Sequence, residues 1–269
     1  MYQVTAAEVN ILRKKTSSGM MDCKKALVEA SGDVDKAIEL LRKKGQKIAF
    51  NRSDREINKG AAIAKVNTYH TTGAILTLGC ETDFVAKNKG FVKLASDLAE
   101  IALSCNSQEA LLNALLDGIS VQNKCIEQTG VIGEKISIKA FEKLQAPFVS
   151  SYIHMGNKIA TLVGFSEPLV GIEEVARNVA MQVAAMNPLG LDEKDISPDL
   201  IEKELEIIKD QLRKEGKPEQ VAQEKLKFFF SESTLMHQAF IKNQKITVGD
   251  YIKNFSPDLK VIGFKRLII

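Results

Sequence analysis

The run Cys80-Glu81-Thr82-Asp83-Phe84-Val85-Ala86-Lys87-Asn88 decides how this chain is read. A strand-like stretch, Gly73 to Gly79, leads into it, and an amphipathic helix begins after it near Phe91. Thr82 and Asp83 are residues that end a strand and cap a helix, because their side-chain oxygens accept from free backbone N–H groups. Phe84 falls in the first helical turn, at a loop edge, where a large ring finds little to pack against. Two readings follow. The commoner outcome for a lone aromatic is burial, here as a hydrophobic staple. The alternative is an exposed ring that inserts into a partner.

The chain has 269 residues, which suggests two or three domains. Hydrophobic residues make up 45% and charged residues 26%, enough apolar material for packed cores. The net charge of +3 is too small to argue for nucleic acid. Residues 1–60 hold 13 Lys+Arg against 8 Asp+Glu, so the front end is mildly basic. That balance suits an acidic partner, RNA or a solvated face equally. No apolar run reaches the roughly 18 residues that span a bilayer, and no signal peptide is visible. Cys23, Cys80, Cys105 and Cys125 form no Cys-x-x-Cys pair, and only three histidines accompany them. They read as buried free thiols of a reducing cytosol, with no metal site and no cofactor expected.

Around the opening run the chain divides by pattern. Residues 1–43 read as a three-helix module. Thr5 and Glu8 fit a capping box, a second helix runs from about Met21 to Ala30, and Asp33 caps a third. Residues 44–59 read as a basic linker. Residues 60–145 form a first subdomain: a hairpin with its turn at His70–Gly73, a helix from Phe91, a helical stretch over 108–126, and a strand at Ile136, Ile138 and Ala140. Residues 146–269 repeat this plan, with a hairpin turning at His154–Asn157 and a helix carrying Val175, Val179, Val183 and Met186. At an offset of 84 residues His70 meets His154, Ile75 meets Ile159, Thr77 meets Thr161 and Ala95 meets Val179. This reads as a degenerate duplication. At about 192–232 the steps Ile201, Leu205, Ile208, Leu212 mark the narrow seam of an antiparallel coiled-coil hairpin, broken at Gly216-Lys217-Pro218. Thr247 then caps a short helix, and Val261 to Ile269 closes as a strand.

Two segments make a joint match. Leu12 through Leu27, with Thr16-Ser17-Ser18-Gly19-Met20-Met21-Asp22-Cys23, resembles the first signature of bacterial elongation factor Ts proteins. Glu81 to Asn88 resembles their second signature, and Ile132-Gly133-Glu134-Lys135-Ile136 and Ser151-Tyr152-Ile153-His154 also fit. The resemblance implies an α+β fold with an N-terminal module like a ubiquitin-associated (UBA) domain, two related α+β subdomains, and a coiled-coil insertion in the second. It implies guanine-nucleotide exchange on elongation factor Tu in the cytoplasm, without catalytic chemistry of its own. Carried over by residue, Thr82, Asp83, Phe84 and Val85 would disturb the partner's Mg²⁺ site. Arg13, Met20, Met21, Lys24, His154 and Ile241 would dock. Four of these docking residues also have a plain structural role open to them: turn packing for Met20 and Met21, a solvated turn for His154, core for Ile241. Ser17, Met155 and Lys242 depart from the family pattern, and the further C-terminal helical module of some relatives is not seen.

Three other readings are open: an enzyme, an RNA-binding protein, and a partner-binding chaperone that shares the family's surface without exchange activity. An enzyme would need more than Glu81 and Asp83, since no phosphate loop, catalytic triad or metal cluster stands out. An RNA-binding protein would use the basic segment from Lys43 to Lys59, where Phe50 is the lone aromatic for stacking.

Overall fold

A computed structural model describes residues 2–16, 18–216, 218 and 221–269. Ser17 and Lys217, on which readings of two turns rest, lie outside the described residues. The first three helices are α1 (Ala6–Thr16), α2 (Met20–Glu29) and α3 (Val34–Asn51). Thr5 and Glu8 do form the reciprocal cap: the Thr5 N–H donates to Glu8 Oε2 at 2.8 Å, and the Glu8 N–H to Thr5 Oγ1 at 3.3 Å. Asp33 Oδ1 accepts from the Asp35 and Lys36 N–H groups and starts α3. Val9, Leu12, Cys23, Ala26, Leu27, Ala30 and Ala37 make the small core between them.

The third helix does not stop near Lys43. It runs on to Asn51, so the first half of the expected linker is helical and 52–58 are irregular. Its inward stripe is narrow, with Leu41 and Ile48 partly covered and Gly45 buried between them. There α3 crosses α7 (Val121–Ile132), and a Cβ on Gly130 would lie 2.3 Å from the Gly45 Cα. Two glycines let the backbones touch, and this crossing fixes the N-terminal module to the body.

The body is a stack of four layers. The hairpin β1 (Lys59–Val66) and β2 (Thr72–Cys80) is joined on its far side by β5 (Ser137–Gln145), all antiparallel. The hairpin β6 (Phe148–Ile153) and β7 (Ile159–Phe165) is joined in the same way by β10 (Val261–Ile268). The strand orders β1-β2-β5 and β6-β7-β10 are the same. Alternate side chains face opposite ways along a strand. Ala61, Ile63, Leu76 and Leu78 therefore meet Phe91, Leu94 and Leu98 of α5 (Lys89–Ala102). Ala62, Ala64 and Ile75 face the second sheet at Val149, Ala160 and Leu162. On the outer side of that sheet, Val163 and Phe165 pack with Val175, Val179 and Val183 of α8 (Ile172–Met186).

Between α5 and β5, residues 108–126 are not one helix. A short α6 (Gln108–Asn113) and a two-stranded hairpin, β3 (Leu115–Leu116) and β4 (Ile119–Ser120), precede α7. Asp117 and Gly118 turn it with φ of 53° and 80°, the left-handed pair that a two-residue hairpin needs. After α8, the helices α9 (Pro198–Lys214) and α10 (Ala222–Ser233) pair through Ile208, Leu212, Ala222 and Leu226, a cluster separate from both main cores. The Leu189 N–H to Ser233 carbonyl bond, 2.8 Å, and the Leu235 N–H to Gly190 carbonyl bond, 2.9 Å, close the base of this pair. The hairpin β8 (Ala239–Phe240) and β9 (Asn243–Thr247) and the helix α11 (Val248–Phe255), capped by Thr247 and Asp250, complete the second subdomain.

Candidate interaction site

Thr82, two residues past the end of β2, caps a single helical turn, α4 (Asp83–Ala86), its hydroxyl accepting from the Val85 N–H. Ala86 is buried and Val85 packs on the first core, so the other side of the turn faces out. Phe84 stands on that side, 91% exposed. The staple reading is thereby overturned: no wall of the fold is close enough to cover the ring. Phe84 instead rims an open groove of about 620 Å³ that runs past Phe91 and Leu94 to Leu116 and Ile132. Asn88 restarts the helix as the cap of α5, accepting from the Gly90 and Phe91 N–H groups.

The turn is held from behind. Glu134 accepts from the Glu81 N–H at 3.0 Å, the Thr82 N–H at 2.9 Å and the Thr82 hydroxyl at 2.6 Å. Arg52 Nη1 donates to both Glu81 oxygens, at 2.8 and 2.9 Å, and the Lys135 N–H donates to Oε1 at 2.6 Å. Desolvation pushes the Glu81 carboxyl up, but these hydrogen bonds and the charges of Arg52 and Arg55 outweigh it and hold it below its ordinary range. Lys135 also reaches back to the Ser53 and Arg55 carbonyls. Glu81 thus ties Arg52 and the Lys135 backbone to the base of the turn. Behind the turn Cys80 is buried, and burial first, with the Glu134 charge second, pushes its thiol to about 11. All four cysteines are free and buried.

The second hairpin comes to the same place. Its turn, 154–158, is pinned by the Asn157 N–H to the His154 carbonyl, 2.9 Å, and by the Ala62 N–H of β1 to the Asn157 carbonyl, 2.7 Å. Lys158 Nζ then lies 3.4 Å from Asp83 Oδ1. The structure therefore brings Asp83 and Phe84 together with the His154 turn. His154 is exposed, its Nδ1 3.2 Å from the Tyr152 hydroxyl. Its counterpart in the first hairpin, His70, is exposed too, but it is stacked at 5.0 Å on Phe148, with Nδ1 3.1 Å from the Val149 carbonyl.

Met20 and Met21 open α2 and are 57% and 59% exposed, so neither packs in the module's core. Lys24, one turn on, and Arg13 on α1 are exposed too. Ile241 is apart from these groups. It sits in the β8–β9 turn, packs partly against the second core, and its N–H donates to the buried Gln182 at 2.8 Å. Sequence reasoning gave no role to Glu134 or Arg52. Glu134 stood inside a segment matching the family, and Arg52 carried no signal.

Among the described residues no group of three or more His, Cys, Asp or Glu side chains is placed to hold a metal ion. None of the described helices is long and apolar enough to cross a membrane. A more enclosed cavity of about 120 Å³ lies between α2, α3 and α7, lined by Lys15, Asp22, Arg42 and Glu127. It shares Val131 with the groove beside Phe84.

A family model described as "Elongation factor TS" matches residues 81–269. The chain belongs to the elongation factor Ts family. It is 58% identical to an elongation factor Ts of Christiangramia forsetii, over the whole of both chains. It is 57% identical to that of Flavobacterium psychrophilum, over 99% of this chain and 98% of the relative. A more distant relative from Porphyromonas gingivalis is 39% identical over 99% of this chain and 98% of its own length. The family is bacterial and belongs to translation elongation in protein biosynthesis. In this elongation factor Ts family member, the matched region begins at Glu81, so it includes the whole Phe84 turn.

Proposed function

We propose that this chain is a guanine-nucleotide exchange factor for elongation factor Tu, acting in the cytoplasm during translation elongation. The observation that carries the reading is Phe84, fully presented on a turn that Glu134 and Lys158 hold still. A bare aromatic on a rigid mount is suited to wedge into a partner with little loss of freedom on binding. Thr82, Asp83, Phe84 and Val85 disturb the partner's Mg²⁺ site. The ion bridges and neutralises the phosphates, so losing its geometry weakens GDP binding. Arg13, Met20, Met21 and Lys24 dock through the N-terminal module, which we read as UBA-like over 1–43. His154 docks beside Phe84, and Ile241 with its partly free side chain touches the partner from the second subdomain.

No bond is made or broken by this chain. It binds the Tu·GDP complex, favours the nucleotide-free state, and leaves when GTP binds. Its work is differential affinity: a hundredfold preference corresponds to about 2.7 kcal/mol. We read the α9–α10 pair as a coiled-coil insertion that plays no part in the Mg²⁺ step. A small-molecule substrate, a membrane and RNA have no place in this reading.

The test is release of fluorescent GDP from elongation factor Tu in magnesium buffer. The native chain is expected to accelerate release strongly, and Phe84→Ala to slow it at least tenfold, on the order of 1.4 kcal/mol, with its melting temperature unchanged. Fast release with both chains would remove the wedge from the mechanism. No acceleration by the native chain would end the exchange reading.

A further inference from the structure

Phe84 is not the only apolar side chain that this end of the molecule holds out. Met155, at the tip of the β6–β7 turn, is 89% exposed. Its exposure does not come from a loose loop. The turn is fixed by the His154 N–H to the Ile159 carbonyl, 2.8 Å, and by the left-handed Gly156 and Asn157 at φ of 88° and 57°. It is fixed to the body by the Ala62–Asn157 bond and by the Ile269 N–H to the Lys158 carbonyl, 3.0 Å. Lys158, three residues on from Met155, pairs with Asp83, the neighbour of Phe84. Both turns sit at one end of β1: Lys59 pairs with Cys80, just before the Phe84 turn, and Ala62 holds the Met155 turn. Three residue steps along the strand separate these anchors, on the order of 10 Å.

Two lysines follow Phe84 closely in the chain. Lys87 and Lys89 are exposed and make no ion pair among the described residues, while the nearby Asp83 is already matched by Lys158. Two projecting apolar groups bordered by free ammonium groups fit a complementary surface with apolar recesses bordered by carboxylates. Methionine suits such a contact, since its unbranched chain adapts to the recess it meets.

We propose that Met155 is a second apolar anchor, entering the same partner surface as Phe84 and setting affinity rather than the maximal rate of exchange. This rests on the exchange reading above. Phe84 belongs to the turn that acts on the Mg²⁺ site, whereas Met155 belongs to the other hairpin and contributes binding that is present before and after release.

The experiment titrates native, Met155→Ala, Met155→Leu and Phe84→Ala chains against Tu·GDP and follows fluorescent GDP release. Met155→Ala is expected to raise the half-saturating concentration about tenfold, the loss of one apolar anchor, with the maximal rate little changed. Met155→Leu restores it, and Phe84→Ala lowers the maximal rate instead. A Met155→Ala curve that overlays the native curve overturns the proposal, as does a fall in maximal rate alone. If the native chain releases no GDP, the exchange reading fails by itself. Calorimetric affinity for nucleotide-free Tu then decides Met155: about tenfold weaker binding supports it, and unchanged binding overturns it. The Lys87→Glu/Lys89→Glu chain is expected to bind more weakly still, and unchanged binding would remove the acidic border.

Discussion

Glu134 takes both polar hydrogens of Thr82, the N–H at 2.9 Å and the hydroxyl at 2.6 Å, across 52 residues of chain. A single carboxylate thus replaces the strand partner that β2 loses where it turns into α4.

Glu134→Ala should leave the Glu81 and Thr82 donors without an acceptor. Stranded donors in a partly buried site carry a penalty of about 1–3 kcal/mol. We expect denaturant unfolding to show a loss of about 2 kcal/mol, within that range. Faster amide hydrogen exchange should appear over 81–86 before it appears in β1. Unchanged exchange there would mean that Thr82 capping alone holds the turn.

The α3–α7 crossing gives an asymmetric pair of substitutions. A Cβ on Gly130 would lie 2.3 Å from the Gly45 Cα, whereas a Cβ on Gly45 would lie 3.6 Å from the Gly130 Cα, an ordinary contact. Gly130→Ala is expected to destabilise by about 1–3 kcal/mol through forced separation of the helices. Gly45→Ala should be neutral or stabilising by up to about 1 kcal/mol, from the better helix propensity of alanine. Thermal unfolding of the two variants decides it, and equal effects would contradict the geometry.

The Glu81 carboxyl is held below its ordinary value of 4.5. A group whose folded value is depressed adds stability that is complete above its unfolded value and is lost as pH falls through the folded one. The native chain should therefore be more stable than Glu81→Gln at neutral pH. The gap should narrow as pH drops below the ordinary value and close once Glu81 is protonated in the fold. A gap that persists in acid would assign the effect to packing rather than to the charge facing Arg52.

Much of the fold is legible in the residues because the core strands carry their own punctuation. Phe148–Ile153 and Ile159–Phe165 are apolar runs bounded by a polar, glycine-containing turn, and the strands fall on those residues. The second half of α3 is not legible, since its stripe is thinned by Gly45 and hidden in basic residues. The hairpin at Asp117-Gly118 was read as helix although the dipeptide is a turn signal. The Phe84 site is half legible. Thr82 and Asn88 announce their caps, but whether the ring is covered depends on where the turn is aimed. That aim is set by Arg52 and Glu134, polar contacts between residues 29 and 52 positions away from theirs in the chain, and no periodicity encodes them.

The joint between Gly45 and Gly130 has one more consequence. Because α3 is a single rod of 18 residues, clamped to α7 near its far end, the exposed methionines of α2 and the ring of Phe84 keep a set span. The molecule is built like a pair of calipers rather than a tethered hook. Calipers grip only an object whose two bearing points lie at the right gauge. If both points bear on one partner, as the exchange reading has it, a partner that changes shape alters that gauge, and the grip at one jaw then works against the grip at the other.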